Sequence, residues 1–312
     1  MKRLFIYLTS IILLIGSALF VGCSEDATPS IYDVIKPSET LPMTKLYDFD
    51  SKTTGIPYAI TVDDQGIVYV SIDKKGIKKI VSDTLAVFAP YSTNAPFFKS
   101  ISMASDGKIY GVRTGIKGVY VVAENTGAST FVANSQGIAD KLNDIDFDGS
   151  SNTLWSGGDT GIIYRITLDK NVKKFFTSGN ISAVKVTGNY LYIALSDTNS
   201  QEVVWKFPKV SVDSLGEGQL IFNLSANVDT LAKITDLGVS SDGDVYVCTN
   251  KQGKEMFVVH SDLTFEEFYN GLFVGTVFSF VWGNSTNAFF TNTLLSANTD
   301  VWKIDMKKNK AQ

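Results

Sequence analysis

Ala59-Ile60-Thr61-Val62-Asp63-Asp64-Gln65-Gly66-Ile67-Val68-Tyr69-Val70-Ser71 is an alternating apolar strand, a tight turn, and a second strand with an aromatic at its centre. Such alternation buries one face of a strand. The turn ends in glycine because a tight hairpin needs a residue that tolerates positive φ. The unit returns five times. Ile101-Ser102-Met103-Ala104 leads through Ser105-Asp106-Gly107 to Ile109-Tyr110-Gly111-Val112, and Ile145-Asp146-Phe147 leads through Asp148-Gly149 to Thr153-Leu154-Trp155. Val184-Lys185-Val186 precedes Tyr190-Leu191-Tyr192, Leu237-Gly238-Val239 precedes Val245-Tyr246-Val247, and Phe278-Ser279-Phe280-Val281 precedes Asn287-Ala288-Phe289-Phe290. The turn glycines at 66, 107, 149, 188, 243 and 283 are 41, 42, 39, 55 and 40 residues apart.

Each unit continues with a third strand, such as Gly76-Ile77-Lys78-Lys79-Ile80, and most with a fourth, such as Thr84-Leu85-Ala86-Val87-Phe88. Four short strands at a period near forty predict an all-β fold, a six-bladed β-propeller with four-stranded blades, over residues 44–312. A β-sandwich of regular hairpins is the other architecture that alternating strands allow, but it does not require six units in phase. The sixth unit runs out of chain after Ile304. Residues 44–49 (Thr-Lys-Leu-Tyr-Asp-Phe) are therefore expected to supply its outer strand and close the ring, which removes the exposed edges of an open stack.

The first 22 residues carry Lys2 and Arg3 ahead of an apolar run ending at Val21-Gly22, the layout of a cleaved secretory signal. A single membrane-spanning helix is the alternative for about 20 apolar residues. Leu19-Phe20-Val21-Gly22-Cys23 resembles the lipobox of bacterial lipoproteins, which implies cleavage before Cys23 and lipidation of its thiol. Residues 23–43 are polar and proline-containing, a tether between anchor and body. Glu25-Asp26 beside the cysteine resembles the export signal of Bacteroidetes lipoproteins, so an outer-membrane lipoprotein on the periplasmic or cell-surface face is expected.

The formal net charge is −4, and cleavage of the signal lowers it to about −6. With no basic block, nucleic acid is excluded as a partner. The expected partners are the membrane, through the lipid, and a glycan, peptide or envelope protein. His260 is the only histidine, which excludes a multi-histidine zinc centre, and no serine stands in a nucleophile-elbow sequence. Cys248, inside a strand-like run, reads as a small buried hydrophobe. Gly157-Gly158-Asp159-Thr160-Gly161 lacks the Lys-Ser/Thr of a phosphate loop and reads as a turn.

Ile56-Pro57-Tyr58-Ala59-Ile60-Thr61-Val62 with its Asp63-Asp64-Gln65-Gly66 turn is similar to the NHL blade motif. The repeats resemble NHL-type and gluconolactonase-like propellers across the mature chain. The second resemblance implies a divalent cation, Ca²⁺ or another, in the central channel of a lactone or ester hydrolase. It is held by a Glu, an Asn-Asp pair, an Asn in an Asn-Gly step, and an Asp. Asn143-Asp144 matches the pair and Asp236 the last ligand, with Asp144, Asp146 and Asp236 as candidate catalytic carboxylates. The Asn-Gly step falls on Ser182-Ala183, and the Glu falls near Gly55-Ile56-Pro57, which offers no carboxylate. Ca²⁺ wants six to eight oxygens, so Asn143 and Asp236 alone make a thin site.

The alternative role for these residues is turn capping and satisfaction of backbone N–H groups at strand starts. Two functions remain open: a non-catalytic binding propeller without a cofactor, and a cation-dependent lactonase or esterase. In either, ligand is expected at the channel funnel, where Tyr58, Phe97 and Phe98 could stack on a sugar or peptide beside Asn143 and Asp236. About 14 extra residues between Pro208 and Leu237 predict an insertion that alters one face.

Overall fold

A computed structural model describes residues 34–35, 41–49, 55–93, 97–113, 115–211, 213–268, 275–294 and 298–311. The signal, Cys23 and most of the tether lie outside the described residues. Among the described residues no helix is long and apolar enough to cross a membrane.

Six antiparallel sheets follow one another along the chain, as the repeat predicts. From inner to outer strand, blade one is Pro57–Val62, Val68–Ile72, Gly76–Val81 and Thr84–Ala89, and blade two is Ser100–Met103, Ile109–Val112, Val119–Val122 and Ser129–Val132. Blade three is Leu142–Asp148, Thr153–Gly158, Ile162–Thr167 and Val172–Phe176. Blade four is Asn180–Val186, Tyr190–Ser196, Glu202–Ser211 and Gln219–Asn223, and blade five is Ile234–Val239, Val245–Thr249, Met256–Val259 and Phe265–Glu267. Blade six has Thr276–Trp282, Asn287–Leu294 and Asn298–Asp305, and its outer strand is Met43–Asp48. Met43 pairs with Ile304 and Tyr47 with Val301, so the expected latch is present and begins one residue early. Val34–Ile35, inside the stretch read as tether, pairs in parallel with Phe265 and Glu266 at the outer edge of blade five.

Hairpin chemistry follows the sequence in part. In blade one, Asp63 Oδ1 accepts from the N–H groups of Gln65 and Ile67 at 3.0 and 2.8 Å, and Tyr69 OH donates to Asp63 Oδ2 at 2.9 Å. In blade two, Asp106 accepts from Lys108 N–H at 3.0 Å and from Tyr110 OH at 2.9 Å. The turn acid and the strand aromatic are thus partners. Gly66, Gly107 and Gly243 take positive φ. Gly149, Gly188 and Gly283 do not, and in blade three the left-handed residue is Asn152, at φ 54°.

Blade faces pack on one another to form the core. Tyr110, Phe131, Leu154 and Tyr164 fill the space between blades two and three, and Phe49, Ile60, Phe289 and Val301 seal blade six against blade one. The extra residues of blade four lengthen its third strand into a hairpin with Ser214–Leu215, followed by the short helix Leu224–Asn227. This insertion is tied down: buried Lys209 donates to Asp148 in the turn of blade three.

Candidate functional site

One feature of the inner strands builds the channel. In five blades the first strand carries a one-residue bulge, at Tyr58, Asn143, Ser182, Thr235 and Phe278. In blade two, Lys99 N–H and the paired Ser100 both meet Val112, which sets Lys99 in the equivalent place. A bulge re-aims a side chain. These six residues accordingly converge on a cavity of about 320 Å³ at one mouth of the channel.

A second ring lies one residue further on: Ala59, Ser100, Asp144, Ala183, Asp236 and Ser279. Its polar members clasp neighbouring blades. Asp144 Oδ2 accepts from Val184 N–H at 2.6 Å, Asp236 Oδ2 from Phe280 N–H at 2.7 Å, and Ser279 Oγ from Ile60 N–H at 3.3 Å across the ring closure. Ser100 Oγ accepts from Ile145 N–H at 3.3 Å. The third ring holds Thr61, Ser102, Asp146, Lys185, Gly238 and Val281, around a cavity of about 150 Å³ towards the other mouth. Thr61 Oγ1 accepts from Met103 N–H at 3.0 Å, and Asp146 Oδ2 from Val186 N–H at 2.9 Å. Gly238 leaves room for a neighbour, since a Cβ there would stand 2.3 Å from the Phe280 ring.

The structure therefore gathers most of the expected site residues and separates two. Tyr58, Phe97, Asn143, Asp144 and Asp236 line the upper cavity, with the Tyr58 and Phe97 rings stacked at 4.5 Å. Asp146 belongs to the lower cavity instead. Phe98 is corrected outright: it is 3% exposed, packs edge-on to Tyr120, and lies over Gly111, where a Cβ would meet its ring at 2.5 Å. It is core, and Lys99 takes the place facing the channel.

Two lysines that sequence reading passed over set the electrostatics. Lys185 projects from blade four, its Nζ 3.6 Å from Asp146. Burial opposes its charge, but Asp146, Asp236 and Asp144 together hold its pKa above the ordinary lysine value. Burial pushes the Asp236 carboxyl up to about 7, with Asp144 adding to the effect and Lys185 opposing it. The Asp144 carboxyl is raised by burial in the same way, against Lys185 and its hydrogen bonds. Lys99 Nζ donates to Asn143 Oδ1 at 2.8 Å, and burial lowers its pKa against the pull of Asp144 and Asp159. The only signal for these lysines in the sequence is position: Lys185 stands between two valines in an inner strand, and Lys99 directly precedes one.

The divalent cation implied by the gluconolactonase-like resemblance does not fit this donor set. The amide oxygen of Asn143 already receives an ammonium, its Nδ2 donates to Asp159 and to Ile181 O, and both Asp236 oxygens accept backbone N–H groups. Lys185 brings a second positive charge to the carboxylates of the channel. Among the described residues no group of three or more Asp, Glu, His or Cys side chains is placed to hold a metal ion. Cys248 is fully buried in blade five, where desolvation pushes its thiol well above the ordinary value. His260 lies at a turn with Nδ1 3.2 Å from Asp244, away from the channel lining.

No protein-family model and no curated protein matches the chain. Solved structures do resemble it. A gluconolactonase from Xanthomonas campestris superposes with a TM-score of 0.65 at 12% identity, over 84% of this chain and 89% of that one. A luciferin-regenerating enzyme gives 0.63 at 15% identity, over 88% and 98%. Virginiamycin B lyase from Staphylococcus aureus gives 0.60 at 13%, over 85% and 99%. At such identity the likeness is one of fold, and these propellers serve different chemistries.

Proposed function

We propose that this propeller binds a small hydroxylated ligand in the upper channel mouth, and that it is held at the bacterial envelope by a lipid on Cys23. The observation that carries the binding role is the ring of bulged residues. It brings an apolar side, the stacked Tyr58 and Phe97 with half-exposed Phe278, against a polar side of Lys99, Asn143 and Thr235. A partly open cavity with one stacking wall and a few convergent polar groups suits a ring compound bearing hydroxyls. No metal is needed for such binding. Thermal shift of the full chain in detergent with a panel of hexoses, sugar acids and sugar lactones tests the role. A shift that disappears in Tyr58→Ala supports it, and no shift with any member contradicts it. Labelling with a radioactive fatty acid, abolished by Cys23→Ser, tests the anchor.

A second reading, turnover of a lactone or ester, draws on one specific arrangement. Asp144 and Asp236 stand in the same ring beneath the cavity, and burial, with Asp144 adding to it, pushes the Asp236 carboxyl up to about 7, the range that suits a general base. The gluconolactonase among the similar folds points the same way. On this reading Asp236 takes the proton of a water attacking the carbonyl carbon and returns it to the ester oxygen as the acyl C–O bond breaks, while Lys99 N–H groups face the carbonyl oxygen. Hydrolysis of glucono-1,5-lactone above the spontaneous rate, undiminished by EDTA and lost in Asp236→Asn, is the expected result. A rate equal to the blank leaves binding as the sole role.

A further inference from the structure

Lys99 brings a charge to the mouth that no carboxylate among the described residues neutralises at close range. Its Nζ has Asn143 Oδ1 as acceptor, and no described carboxylate comes within ion-pair reach of it. The acids that act on it do so across space and are engaged elsewhere: Asp144 with Val184 N–H, and Asp159 with Asn143 Nδ2. Lys185 differs, because Asp146 pairs with it. An ammonium has three donors, so Lys99 keeps two beyond the Asn143 bond. Removing such a charge from water is costly unless a counter-charge arrives. The free donors belong to a residue that lines the 320 Å³ cavity together with the Tyr58–Phe97 stack of the same and the preceding blade.

Resting on the binding role proposed above, we infer that the ligand of the mouth is a small ring compound carrying a carboxylate. Its carboxylate pairs with Lys99, and its ring lies on Tyr58 and Phe97. The acids of the second ring do not undo this choice. Asp236 and Asp144 are turned into the blade junctions, where they accept the N–H groups of Phe280 and Val184, whereas Lys99 stands in the outermost ring. An aromatic cage with acids alone would select a cation, and the presence of Lys99 in the same cavity opposes that.

Calorimetric titration of the full chain in detergent with glucuronate, glucose and choline separates the possibilities. Glucuronate is expected to bind about tenfold or more tightly than glucose, the size of effect a charge-assisted hydrogen bond gives. Lys99→Met should abolish that preference, so that glucuronate and glucose bind alike, and Lys99→Arg should restore it. The preference should also shrink as salt is raised. Equal binding of glucuronate and glucose, unaltered by Lys99→Met, overturns the carboxylate inference and leaves the mouth as a binding site. Choline binding in preference to both sugars overturns it as well, and assigns recognition to Asp144 and Asp236. No binding of any probe removes the binding role itself.

Discussion

Asp236 shares the channel with Asp144 and Asp146 from blade three, Lys185 from blade four, and the Cys248 thiol behind it on blade five. Three carboxylates share the channel with Lys185 and, near Asp146, Lys310, and they cannot all be charged cheaply out of water, so burial raises the carboxyls of both Asp236 and Asp144. The Asp236 carboxyl moves from an ordinary 3.8 to about 7. Below pH 4 both folded and unfolded chains hold this proton, so it contributes nothing to the pH dependence. Between pH 4 and about 7 the unfolded chain releases it and the folded chain keeps it, so stability falls as pH rises, by at most about 1.4 kcal/mol per unit. Asp236→Asn is expected to flatten that part of the curve in urea titrations at stepped pH, and an unchanged slope would show that Asp236 is ionised throughout. Lys185→Met should be the more damaging substitution. It leaves Asp146 buried without its ammonium, a change that costs about 3–5 kcal/mol in comparable buried pairs. An unaltered denaturation midpoint in Lys185→Met would contradict the charge balance described for the channel.

The hairpin and its bulge explain what could be read early and what could not. Glycine-containing turns, alternating strands and the period near forty are local chemistry, so all six blades were legible, and the latch to within one residue at each end. Asn143, Asp144 and Asp236 were found as a cluster, because the resemblance aligned them with a channel. Phe98 and Lys99 show where such reading stops. A one-residue shift exchanges the two faces of a strand, and no residue type near Ser100 announces that the strand there places Lys99 towards the channel and Phe98 towards Gly111. Lys185 was missed for a related reason, since its acidic partner Asp146 lies in another blade. Two substitutions test the elements themselves. Tyr110→Phe deletes the hydroxyl that donates to Asp106 and should lower stability by about 1 kcal/mol. Gly238→Ala forces a methyl against the Phe280 ring and should lower it by about 1–3 kcal/mol. Full stability in the second variant would mean that blades five and six pack less closely than described.

At the scale of the whole molecule, each blade depends on the next. Every junction has a side chain that accepts a neighbour's backbone N–H: Thr61, Ser100, Asp144, Glu202, Asp236 and Ser279 in turn around the ring. Repeats stacked in this way gain stability from their interfaces. Tyr47, buried in the latch beside Phe49 and Val301, is where chain start meets chain end. Tyr47→Ala should cost about 3 kcal/mol and lower a single cooperative melting transition; separate melting of blade six would show that the ring is not one unit. The likeness to lactonase and lyase propellers is a likeness of this scaffold. The most direct measurement is a crystal structure of the chain grown with glucuronate and calcium together. The expected result is a carboxylate at Lys99 with its sugar ring on Tyr58 and Phe97, and no anomalous peak in the channel. A calcium ion bound by Asn143 and Asp236, with Lys99 displaced, would contradict it.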